Sequence, residues 1–389
     1  MKSRKVLLGL FLGVFAAFSG NVTAQQDSGS GLIEVGPDNI GGRVTSLIVD
    51  KRDHTHHTLF AGAASGGLFV KSSLPEFSDY AAISIWEHIP YIDENGKEIT
   101  LPISAMVQLP NDDIIIATGE SSFTMGSRLT RLAPMGRGLF RFNPNTKVFS
   151  PIANTQPADA KSPWASVNKI AFAMNYNQSE MYFFVATQKG LYRWNITNES
   201  DWNTAPVLVS DTVPVYDVMP VSLYNMLYYT TATALFRQGN MANNTTPVDI
   251  SRGCEGIREG NVSRIFLASS DPRNDSVYIY AMVCDENGYL KSVYLTKNQS
   301  TWDPLTTSTV TPFSENSAHQ CGAITVDPSN PDRIFVGGSS IWSGQGYIDH
   351  AIYQWSKVSS DEYQFYTATG LVGNYMAGIY AQASFVHSG

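Results

Sequence analysis

The stretch GPDNIGGRVTSLIVDKRDHTHHTLFAGAASGGLFVK, residues 36–71, decides how the rest of the chain is read. It holds a Gly-Gly opening, an alternating run ending at Asp50, a polar turn, a second apolar run from Leu59, a Gly-Gly turn and a third short run. That is most of one four-stranded antiparallel sheet. A sheet this small has open edges and cannot bury its core alone, so it needs copies of itself to stack against.

Copies follow, unevenly spaced. The first runs are 44–50, 103–109, 167–174, 215–221, 262–268 and 321–327, each alternating as a half-buried strand does. The second runs are LFAGAA from Leu59, IIIATGE from Ile114, YFFVATQ from Tyr182, LYYTTAT from Leu227, VYIYAMV from Val277 and IFVGGSS from Ile334. All are rich in β-branched or aromatic residues, which suit a pleated surface. Third runs are GLFVK at Gly67, GLFRF at Gly138, GLYRW at Gly190, ALFRQ at Ala234 and AIYQW at Ala351. Gly before the apolar pair fits a tight turn into a strand. Fourth runs open on an aromatic at Trp86, Phe149, Trp202 and Trp302.

Four strand types, repeated with hardly a helical period, predict an all-β fold: a β-propeller of four-stranded blades spanning 36–389. Blades are expected to start near residues 43, 102, 166, 213, 261, 319 and 376, which makes seven, the last incomplete within 376–389. A strand around 32–35, in the N-terminal segment 25–35, is the candidate for closing the ring.

The 389 residues are 43% apolar and 12% aromatic, enough for a large core. Charged residues are only 15% and the net charge is -8, so no basic stripe is available and nucleic acid is not an expected partner. Lys2, Arg4 and Lys5 precede an apolar run at 6–18 that closes on Val22, Thr23 and Ala24. This reads as an export signal over 1–24, cleaved after Ala24. No later segment is long enough to span a bilayer. The mature chain is therefore expected to be exported, to the periplasm, the cell surface or the medium, with no transmembrane span. Of the three cysteines, Cys254 and Cys284 are the expected disulfide. No Cys/His spacing suggests zinc, and neither a metal nor a cofactor is expected.

The segments GPDNIGGRVTSLIVD and AGAASGGLF, the Asp-Pro turns at Asp271 and Asp327, and IATGE followed by a long loop into GRGLFRF resemble the BNR-like propellers. That group includes the sortilin (VPS10)-type propellers and exported proteins of Bacteroidetes-like bacteria. The resemblance implies blades and no particular activity. Sialidases with this architecture carry Asp boxes of the form S-x-D-x-G-x-T-W, and no intact copy is present. The chain is also similar to xyloglucanase-type hydrolases at the first blade, where the family has an acidic residue two positions before its Gly-Gly turn. Here that position is Ala64, so the resemblance implies that one of the two carboxylates of glycoside hydrolysis is missing.

Candidate binding-face residues are Glu120, Met125, Arg128, Arg131 and Arg137, in and beside the loop 121–137, with Glu255 in the loop 253–260 and Asp285. A loop that is basic and apolar together suits an anionic ligand or a protein. The plainer reading of Glu120 is a cap on loop backbone. His54, His56 and His57 read as a solvated turn, and Trp86, Trp194, Trp302 and Trp355 as packing between blades, because they repeat at equivalent positions. The functional expectation is a non-enzymatic exported propeller that binds a protein or glycan through one loop-built face, alone or within a cell-surface or secretion-associated assembly. The alternative is a diverged glycoside hydrolase with Glu120 or Asp285 as candidate acids.

Overall fold

The computed structural model describes residues 43–55, 58–72, 86–120, 123–125, 128–130, 134–211, 214–243, 245–305, 322–337, 352–357 and 363–367. The export signal, the segment 25–35, the seventh unit at 376–389, His56, His57, Arg131 and Cys321 lie outside them.

Among the described residues there are six four-stranded sheets. Blade 1 is built from Val44–Val49, Leu59–Ala63, Gly67–Lys71 and Glu87–Ile89. Blade 2 takes Ile103–Gln108, Ile114–Thr118, Leu139–Asn143 and Val148–Pro151. Blade 3 takes Val167–Met174, Met181–Thr187, Gly190–Asn195 and Val207–Ser210. Blade 4 takes Asp217–Val221, Met226–Thr230, Leu235–Gly239 and Val248–Asp249. Blade 5 takes Val262–Ser269, Ile279–Asp285, Leu290–Thr296 and Asp303–Pro304. Blade 6 takes Ala323–Asp327, Asn330–Gly337, Ile352–Lys357 and Tyr363–Thr367. Strands pair in chain order and antiparallel throughout, so each sheet is a simple meander.

The second strands read as unbroken apolar runs because both of their faces are covered. In blade 3, Phe183 and Val185 enter the core shared with blade 2, whereas Tyr182, Phe184 and Ala186 enter the core shared with blade 4. Five such cores link the six blades in sequence. Blade 1 has a second buried face on the side away from blade 2, made by Leu59, Ala61, Ala63, Phe69 and Trp86. Sheets that bury both faces against their neighbours in a row, with first strands side by side, make the fold a β-propeller.

Repetition also shows between blades. The Arg of GLFRF, GLYRW and ALFRQ reaches forward into the next blade each time. Arg141 pairs with Glu199, Arg193 donates from Nη1 to the Met241 carbonyl at 3.0 Å, and Arg237 donates to the Gln299 carbonyl at 2.9 Å. On the face where the first strands end, Arg52 donates from Nε to both carboxylate oxygens of Asp50, at 2.9 and 3.0 Å, and Gln108 of blade 2 donates to the same group at 3.0 Å. Burial raises the Asp50 pKa, yet these bonds outweigh it and the carboxyl sits below its ordinary value of 3.8. A group lowered in this way contributes stability that is complete above its ordinary value and is lost as pH falls through the lower folded-state value. Asp50→Asn is therefore expected to unfold more easily at neutral pH and to lose less further stability below about pH 4 than the parent. Denaturant titrations at several pH values check this, and equal acid sensitivity in the two proteins contradicts it.

Several expectations are corrected. Trp202 does not open a strand: Asn198 and Asp201 form a capping box that closes the 3-10 turn Glu199–Asn203, and the fourth strand starts later, at Val207. The third strand of blade 5, Leu290–Thr296, lacks the Gly-apolar signature and went unread. The loop 121–137 contains a hairpin of Phe123–Met125 with Arg128–Thr130. A second extra hairpin, Tyr91–Ile92 with Glu98–Ile99, joins blades 1 and 2. The expected disulfide is not formed. Cys254 and Cys284 are both free and buried, the first in the core between blades 4 and 5 and the second in the core between blades 5 and 6, so the blade 5 sheet stands between them. Burial pushes the Cys254 thiol up to about 12 and the Cys284 thiol up as well. Both are expected to resist a thiol-specific label in the native protein and to react on unfolding, as peptide mapping would read. A native Cys254–Cys284 peptide contradicts the structure.

Candidate functional site

Antiparallel order puts the starts of all first strands, the ends of the second strands and the starts of the third strands on one face of the blades. Chemistry collects there at the inner mouth. Four first strands open with a β-bulge, between Val44 and Ser46, Ile103 and Ala105, Val167 and Lys169, and Val262 and Arg264. A bulge adds one unpaired residue and re-aims its neighbours. The freed side chains tie adjacent blades together: Thr45 Oγ1 donates to the Ile103 carbonyl at 2.7 Å and Asn168 Nδ2 to the Val215 carbonyl at 2.6 Å.

Just past the bulge, blade 3 presents Lys169 and blade 5 presents Arg264. The Arg264 guanidinium lies 4.6 Å from the Tyr216 ring centroid and 4.9 Å from that of Phe266. Its Nε is buried without a hydrogen-bond partner. Burial lowers the Arg264 pKa from its ordinary value, countered by the charge of Asp217 and, more weakly, by Tyr216 and by Glu120 of blade 2. Asp217 is itself occupied: it accepts from the Val218 amide and, in the next blade, from the Leu267 amide, both at 2.9 Å.

Glu120 lies two residues past the second strand of blade 2, pairs through its carboxylate with Arg43 at the start of blade 1, and accepts from Ser166 Oγ at its backbone carbonyl, 3.0 Å away. The carboxylate thus holds a neighbouring blade, where the plainer reading has it capping loop backbone. Arg137 is exposed, its backbone amide held by Thr118 Oγ1 at 2.7 Å. Met125 and Arg128 sit opposite each other in the loop hairpin. Asp285 is a turn-former, its Oδ1 accepting from the amides of Asn287 and Tyr289, both at 2.9 Å. Glu255 lies exposed on the short helix Glu255–Arg258 and pairs with Arg258 at 3.1 Å. The segment around it is a packed connector more than an open loop, because Cys254, Gly256 and Ile257 are buried.

The four tryptophans Trp86, Trp194, Trp302 and Trp355 are all buried in core clusters, as their repetition implies. Among the described residues no group of three or more His, Cys, Asp or Glu side chains could hold a metal. His54 is exposed in a turn organised by Asp53, whose carboxylate accepts from the Thr55 amide at 2.9 Å. The reading of the site missed Lys169, Arg264 and Arg43. One signal was present: Val167-Asn168-Lys169-Ile170 and Val262-Ser263-Arg264-Ile265 repeat a polar-basic interruption of an alternating strand, which is how a bulge looks in sequence.

No helix among the described residues is long and apolar enough to cross a membrane. No protein-family model matches the chain, and no curated protein matches it in sequence. Among solved structures it is similar to an auxiliary nutrient binding protein from Bacteroides thetaiotaomicron, at 13% identity and a TM-score of 0.42, over 77% of this chain and 67% of that one. It is similar to the Dos1 propeller at 9% identity and a TM-score of 0.46, over 88% of each chain. It is also similar to YCF48 bound to D1 peptide, at 11% identity and a TM-score of 0.44, over 84% of this chain and 82% of that one. Likeness at this level speaks to fold alone, and it is the chain's own six sheets that make it a β-propeller.

Proposed function

We propose that the chain is an exported, non-enzymatic propeller of the BNR-like kind, which binds a protein or glycan through the face on which its first strands begin. The observation that carries this reading is the division of charge at the inner mouth. Glu120 and Asp217 are each engaged by a neighbouring blade, whereas Lys169 and Arg264 have neither hydrogen bond nor ion pair among the described residues. Glycoside hydrolysis asks for the reverse, two available carboxylates facing one another across a cleft. The residue that the hydrolase resemblance would make acidic is Ala64, buried in the blade 1 wall with its amide donating to the Arg43 carbonyl at 2.8 Å. Loops on the same face, the hairpin bearing Met125 and Arg128 and the exposed Arg137, supply further surface. The ligand is met outside the cytoplasm, in the periplasm, at the cell surface or in the medium, either by the free protein or within a surface assembly.

The test is release of reducing ends from xyloglucan, mixed-linkage glucan and sialylated glycans. Turnover is expected to be absent in the parent and unchanged in Glu120→Gln. Measurable hydrolysis that Glu120→Gln abolishes contradicts the proposal and restores the hydrolase reading.

A further inference from the structure

Arg264 is placed in an unusual way for a structural arginine. Its guanidinium carbon stands over the rings of both Tyr216 and Phe266, contacts that leave its N–H donors to be satisfied by some other group. Those donors have no partner among the described residues, and Nε is buried without one. A charged donor shielded from water and left unpaired is unfavourable unless something else satisfies it. Lys169 occupies the matching register position two blades earlier, directly after its own bulge, and is also unpartnered. The acidic groups nearby are committed elsewhere, Asp217 to two backbone amides and Glu120 to Arg43.

From this geometry we infer that the inner mouth is a carboxylate-binding site, in which the Arg264 edge receives an acidic side chain of a peptide and Lys169 supplies a second positive charge. The inference rests on the binding-face reading above and narrows it to an acidic peptide. A planar carboxylate matches a guanidinium edge as a point cation does not. Peptide is favoured over acidic sugar by the rings themselves. Tyr216 and Phe266 are buried, their faces turned to the guanidinium, and leave no open aromatic platform of the kind sugars stack upon.

The experiment measures binding of a capped hexaglutamate peptide by calorimetry at low salt, against hexaglutamine and hexagalacturonate, with unfolding midpoints recorded for every variant. Hexaglutamate is expected to bind and hexaglutamine not, with affinity falling as salt rises. Arg264→Gln is expected to weaken binding about tenfold or more, and Arg264→Lys to recover little of it, because charge without the planar fork is insufficient. Lys169→Gln should weaken binding about threefold, and as a change at a partly exposed side chain it keeps the test alive if Arg264→Gln does not fold. Lys147→Gln, in a turn on the opposite face, should change nothing. Absence of hexaglutamate binding, binding indifferent to both Arg264→Gln and Lys169→Gln, or preference for hexagalacturonate overturns the inference. None of these outcomes produces sugar release, so the broader binding-face proposal stands or falls separately.

Discussion

Trp194→Ala is expected to cost about 3–5 kcal/mol of folding stability, the range for emptying a large buried aromatic site. Trp194 is 2% exposed at the centre of the core between blades 2 and 3. It stacks on Trp164 with ring centroids 6.1 Å apart, meets Trp202 at 5.7 Å, and donates from Nε1 to the Thr204 carbonyl at 2.7 Å. Truncation removes three favourable contacts at once and leaves the Thr204 carbonyl without that donor. Denaturant unfolding of the purified protein gives the number. A cost under about 1 kcal/mol would show that the site collapses freely, which close-packed interiors do not allow.

The second large effect is expected at Gly136, where the loop carrying the hairpin returns to blade 2. A Cβ on Gly136 would stand 2.2 Å from the Thr118 carbonyl oxygen and 2.9 Å from the Gly119 amide nitrogen, both backbone atoms that cannot swing aside. Gly119 is under the same constraint from the other side, with φ of +75° and space for no more than a hydrogen 2.5 Å from the Ala165 carbonyl. Gly136→Val is expected to destabilise by about 3 kcal/mol or more and to displace the loop base. Because Glu120 follows Gly119 directly, the Arg43–Glu120 pair between blades 1 and 2 moves with it. A Gly136→Val protein of parental stability would mean that the two backbone segments do not approach as described.

Much of the fold was legible because propeller physics writes itself into short windows. A second strand covered on both faces must be apolar throughout, and IIIAT at Ile114–Thr118 can hardly be read otherwise. The glycines that open third strands have left-handed backbones, Gly67 at φ +83° and Gly138 at φ +85°, so their recurrence marked real turns. What escaped was either too short or too distant. Val248–Asp249 is a two-residue strand, and no periodicity can be expressed in two residues. The capping box of Asn198 and Asp201 overrode an aromatic that resembled a strand opening. The site was the least legible part, because it is made by register. Arg43 and Glu120 are 77 residues apart in sequence, and Lys169 and Arg264 become equivalent only once the bulges align them. The cysteine pairing failed for a similar reason: proximity in sequence says nothing about which side of a sheet a side chain enters.

The central claim is that one face of the propeller, the face on which first strands begin, meets the ligand. Photo-crosslinking tests it most directly. A photoreactive phenylalanine analogue is placed at Arg137 on that face or at Lys147 on the other, both exposed, and the protein is irradiated in the exporting cell. The account predicts a discrete covalent adduct from position 137 and none from position 147. Adducts from position 147 alone, or equally from both, would contradict it.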